Sequence, residues 1–110
     1  MKQGEIYWAN LDPTQDSEQA GLRPVVIVSG NTMNENFPVI LACPITKKIK
    51  NYPGCVGLVK NKTNNLKQDG EIISFQIRSL SKKRLTKKIG TIKRSELKSV
   101  ISGLNQVLIY

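Results

Sequence analysis

The residues best suited to chemistry in this chain stand at the ends of its apolar runs. Arg23 comes directly before Pro24-Val25-Val26-Ile27-Val28, Thr46 directly follows the run 38–45, and Gln76 and Arg78 lie within 71–80. A guanidinium never sheds its charge and carries five donors. With a hydroxyl and an amide beside it, the set suits a phosphate. Tyr52, in the basic loop after Thr46, could stack a base. Taken singly, none of these is diagnostic. Arg23 could equally be bonded to loop carbonyls, Thr46 could cap a backbone group, and Gln76 could be an ordinary surface residue. Their meaning depends on whether the fold brings them together.

Other chemistries fail on residue types. The chain has no histidine, so a Ser-His triad lacks its base. Cys43 and Cys55 do not form a CxxC pair, which with the missing histidine argues against a zinc site. Both cysteines flank apolar residues and are expected as buried free thiols. Paired carboxylates are confined to the acidic first third, where none is framed by strand ends, and no Gly-rich phosphate loop opens a helix. Residues 1–40 carry only Lys2 and Arg23 against Glu5, Asp12, Asp16, Glu18 and Glu35, a net −3, so within the chain's net +9 residues 41–110 carry +12. Such asymmetry favours a polyanionic partner, whether nucleic acid, acidic protein or membrane surface, although surplus lysine also serves solubility. No apolar run reaches the length of a membrane span and the N-terminus has no signal-like stretch, so a soluble cytoplasmic protein is expected.

The elements that must position these residues follow from periodicity. At 110 residues, 1–110 form a single domain with one core's worth of apolar sequence. Residues 25–28 are four β-branched residues without polar alternation, the mark of a central strand covered on both faces. Pro24 fits the first position of such a strand and holds Arg23 extended. An arginine at the mouth of the most buried strand is expected to be costly to desolvate. Strands are also expected at 5–11, 38–45, 55–59 and 71–80, the last with Phe75, Ile77 and Ser79 on one face. Residues 32–37 read as one helical turn. The stretch 81–90 reads as a basic segment with Leu85 and Ile89 as anchors. Leu97, Val100, Ile101, Leu104 and Val107 lie on one face of a helix from 93 to 108. The class is mainly β or α+β: a small, curled, partly open barrel packed by one C-terminal helix.

Several pieces together resemble the MazF/PemK family of bacterial toxin endoribonucleases. They are Gly4-Glu5-Ile6-Tyr7, Ser17-Glu18-Gln19-Ala20-Gly21, Arg23-Pro24-Val25-Val26-Ile27-Val28-Ser29, Pro44-Ile45-Thr46, and Gln76-Ile77-Arg78-Ser79-Leu80 continuing to Arg84-Leu85. The resemblance spans nearly the whole chain. It implies an SH3-like barrel, a homodimer, no cofactor, and metal-independent cleavage of single-stranded RNA at short motifs. It also implies 2′,3′-cyclic phosphate and 5′-OH ends, and inhibition by an acidic antitoxin protein. On the matching motifs, Arg23 and Thr46 take the catalytic places and Gln76 an RNA-contact place. Further RNA contacts are expected from Glu18 and Gln19, from Lys47, Lys48 and Tyr52, and from Ser74 and Arg78. Phe75 stands where the family often has Asp or Glu, so no carboxylate role carries over there. The basic segments 47–50, 60–67 and 82–88 are the expected walls of the RNA site. The alternatives are a gyrase poison on the same barrel, which would not require the Arg23/Thr46 pair, and a non-catalytic nucleic-acid-binding module.

Overall fold

The computed structural model describes residues 1–11 and 21–109. The elements run β1 (Glu5–Asn10), β2 (Leu22–Ile27), α1 (Asn31–Asn36), β3 (Val39–Thr46), β4 (Val56–Leu58), β5 (Gly70–Ile72), β6 (Arg78–Ser81), β7 (Leu85–Thr91) and α2 (Arg94–Leu108). Short 3-10 turns stand at Ser74–Gln76 and Lys82–Arg84. Among the described residues the strands form one antiparallel sheet, ordered β4-β5-β3-β2-β1-β7, with β6 also paired to β3. The sheet curls but does not close. With its C-terminal helix it is the mainly β, partly open barrel expected from the periodicity.

Strand β2 is central, and its lack of alternation has a direct cause. Val25 and Ile27 pack with Ala9, Ile40, Ala42, Leu80 and Leu85 on one face. Val26 and Val28 pack with Ile6, Cys43, Ile45, Leu58, Ile72, Ile92 and Val100 on the other. Each such aliphatic side chain contributes about 1.5–3 kcal/mol on burial. The second cluster is roofed by α2, whose Val100 is fully buried while Leu97 and Leu104 pack against it. The lower end of the same helical stripe, Val107, is exposed. Gly103 is required where α2 crosses the 47–55 loop, because a Cβ there would collide with the Gly54 carbonyl oxygen.

The expected strand 71–80 is broken. Its first part pairs with β3 at Ile45↔Ile72, and its second at Ala42↔Arg78. Between them the facing β3 residue is Pro44, which has no N–H to give to a ladder. The chain therefore leaves the sheet in a 3-10 turn, with Ile73 N donating to Pro44 O at 3.0 Å and Ile77 N to Ser74 O at 3.1 Å. Phe75, Ile77 and Ser79 consequently do not share a strand face. Part of the basic stretch 81–90 is strand β7, with Leu85 buried and Ile89 packed against the α2-side core.

Candidate functional site

A cleft of about 1140 Å³ wraps the end of the sheet where β2 begins and β3 finishes. Arg23, Thr46, Lys47, Lys48, Gln76 and Arg78 all line it, contributed by segments far apart in sequence. The register explains the central pair. β2 and β3 pair at Ile27↔Ala42, Val26↔Cys43 and Val25↔Pro44. Carried two residues further, the same register sets Arg23 opposite Thr46. On the other edge of β3, Thr46 pairs with Glu71 of β5.

Arg23 is exposed, so its guanidinium carries no large desolvation cost, contrary to the expectation from its place beside the buried strand. One of its nitrogens donates to the Leu22 carbonyl at 3.2 Å. The Thr46 hydroxyl accepts from Lys48 N at 3.1 Å. That bond caps the turn after β3, as the local reading of a strand-end threonine requires. A hydroxyl used as an acceptor still has its proton to donate. Capping and a role in the cleft are therefore compatible.

The cleft has two unlike sides. Paired positions share a face, so Arg23, Pro44 and Arg78 lie on the side of Val25 and Ala42. Trp8, Pro24 and Ile45 lie on the side of Ile6 and Val26, together with Leu66 and Ile89, which pack against that core. Helix α2 roofs the Ile6 end of this face and leaves Trp8 uncovered, 38% exposed, beside Lys87. One side offers guanidinium and hydroxyl groups, the other an aromatic ring and aliphatic surface. Among the described residues the charged lining is basic apart from Asp69: Arg23, Lys47, Lys48, Lys67, Arg78, Lys87 and Lys88. Asp69 Oδ1 is already used, accepting from Lys60 N at 2.9 Å.

Lys88 is held by an ion pair with Glu5 at 2.8 Å, and Glu5 also accepts from Tyr7 Oη at 3.2 Å. Burial pushes the Glu5 carboxyl up, but the Lys88 ammonium, the Lys2 amide and Tyr7 together outweigh it, leaving its pKa below the usual value. Tyr7 is pushed up by burial and by the Glu5 charge, and Lys88 by its hydrogen bond to Glu5. The cysteines are both free, Cys43 buried and Cys55 half-buried. Burial, then neighbouring Cys55, pushes the Cys43 thiol up to about 12, so it stays neutral in the core. Among the described residues no group of three His, Cys, Asp or Glu side chains could hold a metal ion.

Two expected contacts fall elsewhere. Ser74 is fully buried, its hydroxyl 3.7 Å from Cys55 Sγ, because the 3-10 turn rotates it into the core; it has no surface to offer RNA. Tyr52 is outside the cleft lining and packs edge-on against Phe75, ring centroids 5.3 Å apart. Glu18 and Gln19 lie outside the described residues. Lys67, Lys87 and Lys88, from the expected basic walls, line the cleft, and Trp8 lines it unforeseen. Trp8 alternates with core residue Ile6, and nothing local says where the helical roof stops. Glu71 was also missed: it is 1% exposed and accepts three backbone amides from the loop after Thr46.

The chain matches the family model described as PemK-like, MazF-like toxin of type II toxin–antitoxin systems over residues 2–108. It is 36% identical over 107 residues to an endoribonuclease MazF from Staphylococcus saprophyticus subsp. saprophyticus, covering 96% of this chain and 88% of that one. A crystal structure of MazF from Deinococcus radiodurans is similar at a TM-score of 0.80 and 28% identity, covering 98% of this chain and 96% of that one. An endoribonuclease in complex with its cognate antitoxin, from a mycobacterial species, shares the fold at a TM-score of 0.81 and 20% identity, covering 100% and 98%.

Proposed function

Because the chain belongs to the PemK-like and MazF-like toxin family of type II toxin–antitoxin systems, we propose that it is a toxin endoribonuclease cutting single-stranded RNA without a metal ion. The observation that supports this most is the meeting of Arg23, Thr46, Gln76 and Arg78 in one basic cleft. In this reading the RNA backbone follows the cleft and the ribose 2′-oxygen attacks the adjacent phosphorus. The P–O5′ bond breaks as the new bond forms, the 2′-proton passes to solvent, and O5′ takes up a proton. The products are a 2′,3′-cyclic phosphate and a 5′-OH end.

Arg23 suits stabilisation of the charge gathering on the phosphate oxygens, since its planar donors match two of them. A guanidinium is a poor proton acceptor, because it keeps its charge throughout the range in which proteins fold. Its contribution is electrostatic. Thr46 donates to the phosphate or to the 2′-oxygen, and so helps to hold the attack in line. Gln76 and Arg78 hold RNA beside the reacting bond, while Lys47 and Lys48 neutralise neighbouring phosphates. The relatives solved with an antitoxin suggest the regulator. An acidic antitoxin segment would enter the same basic cleft and compete with RNA charge for charge. The toxin unit, 1–110, works as a dimer in this reading, and an RNA substrate implies the cytoplasm. No helix of the described residues is long and apolar enough to cross a membrane.

The test is a cleavage assay on single-stranded RNA in EDTA, with and without one 2′-deoxy nucleotide at the cut. Cleavage is expected to persist in EDTA and to stop at the deoxy position while binding is retained. A requirement for added Mg²⁺, or cutting at the deoxy bond, would overturn the mechanism; no cutting of any RNA would overturn the enzyme.

A further inference from the structure

We propose that Glu71 is a positioning residue for the cleft, fixing from inside the protein the loop that carries Lys47 and Lys48 away from Thr46. The proposal deepens the endoribonuclease reading and rests on it for its kinetic consequences. Glu71 is the most buried carboxylate among the described residues, at 1% exposure, in a chain whose surface has abundant lysine to pair with. Among the described residues no lysine or arginine forms an ion pair with it. Its Oε1 accepts from Lys50 N at 2.8 Å and Asn51 N at 3.3 Å, and its Oε2 accepts from Tyr52 N at 3.2 Å. Three amides converging on one carboxylate are charge-assisted bonds, strong enough to offset the cost of burying the charge.

Those amides belong to residues whose side chains are exposed, so besides the ring contact of Tyr52 with Phe75 it is the Glu71 carboxylate that ties this stretch of backbone to the interior. Asn51 sits at φ 55, a left-handed turn that asparagine accepts more readily than other non-glycine residues. The clamp is also wired to the site by register. Glu71 is the direct cross-strand partner of Thr46, whose hydroxyl caps Lys48 N. Two neighbouring side chains thus hold successive amides of one loop, the first in the cleft and the second beneath it. Lys47 and Lys48 project from the segment between these anchors into the cleft. An apolar residue at 71 would fill the space but leave three amides unbound, and the lysines would no longer be presented in one geometry.

Amide hydrogen exchange on the unaltered protein gives the first readout, independent of any activity. The Lys50, Asn51 and Tyr52 amides should be protected by at least about tenfold over unstructured peptide despite lying in an exposed loop; free exchange would overturn the clamp. Glu71→Gln, which keeps the shape but cannot accept all three bonds, should release that protection selectively while core amides stay protected. On a cleavable RNA it should raise KM by about tenfold, with a smaller fall in kcat. The decisive comparison is the same change placed in a Lys47→Ala/Lys48→Ala background. If Glu71 acts through those lysines, its effect on KM should shrink to less than about twofold there. Full additivity would mean a merely structural role and would overturn the proposal. Should Glu71→Gln not fold, Asn51→Ala, which disfavours the positive φ of the clamped loop, is expected to raise KM in the same non-additive way; additivity there counts equally against it. If the parent protein cut no RNA, the endoribonuclease reading would fail, whereas the exchange result would still decide the clamp.

Discussion

The two sides of the cleft are built from the same sheet yet offer opposite chemistry. On the side of Val25 and Ala42, Arg23, Thr46 and Arg78 present charge and a hydroxyl at strand ends. On the side of Ile6 and Val26, Trp8, Pro24, Ile45, Leu66 and Ile89 present apolar surface edged by Lys87. The first can stabilise a phosphate whose charge is changing, and the second can hold bases or sugars whose charge is not. In the proposed reading, the difference divides catalysis and binding between two sides of one groove. A strand that emerges from the core between two faces delivers one set of residues to each.

That division can be broken by substitution, beginning with the polar side. Arg23→Ala is expected to lower the cleavage rate by about 10²–10³ or more, the usual cost of losing a charge-stabilising donor. Binding of an uncleavable 2′-deoxy substrate should change little, since many lysines share the backbone. Equal cleavage by mutant and parent would remove Arg23 from the chemistry. Thr46→Val keeps the volume and removes the donor; a loss of about 10²-fold in kcat is expected, smaller than for Arg23 because no charge is lost. If only KM moved, Thr46 would belong with the binding residues instead.

Changes on the apolar side should move affinity and not rate. Trp8→Ala is expected to weaken RNA binding by about 1–3 kcal/mol, the worth of one stacked base, with kcat and the salt dependence nearly unchanged. A fall in kcat comparable to that of Arg23→Ala would end the division. Removing the charge of Lys67 or Lys87 should do less at any one salt concentration, and is best seen in the slope. Each substitution to alanine should flatten the dependence of log K on log salt by about 0.7 if the residue neutralises one phosphate.

The smallest expected effect sharpens the boundary between site and scaffold. Glu5→Gln breaks the ion pair with Lys88 and should lower thermal stability slightly near neutral pH. The Glu5 pKa lies below its ordinary value of 4.5, so the pair's contribution is present above that value. It is lost as pH falls through the lowered one, and melting curves of mutant and parent should converge there. A difference that grew on acidification would contradict the assignment.

Much of this architecture was legible because it is written in local pattern. Residues 25–28 announced a strand covered twice, and the 97–107 stripe announced a helix roofing a core. The family's motif pieces pointed to Arg23, Thr46 and Gln76, all of which line the cleft. The failures share a cause. Ser74 and Phe75 looked like alternating strand residues, but Pro44 on the neighbouring strand interrupts the ladder facing them. Residues 81–90 read as a basic segment anchored by Leu85 and Ile89, yet β1 supplies a strand partner for its second half. Tyr52 looked placed to stack a base, but the fold sets it outside the cleft lining, against Phe75.

By itself, then, the sequence determined the charge asymmetry, the double-faced strand, the helix with its buried stripe, and the kinds of side chain on offer. These depend on composition and on periods of two and 3.6 residues, which a short window carries whole. Only the tertiary structure decided that β2 and β3 align so that Arg23 faces Thr46, that α2 stops short of Trp8, and that Glu71 reaches beneath the loop after Thr46. Each of these depends on contacts between segments well separated in the chain. Register and coverage are set by the summed packing of the core, and no single segment encodes them.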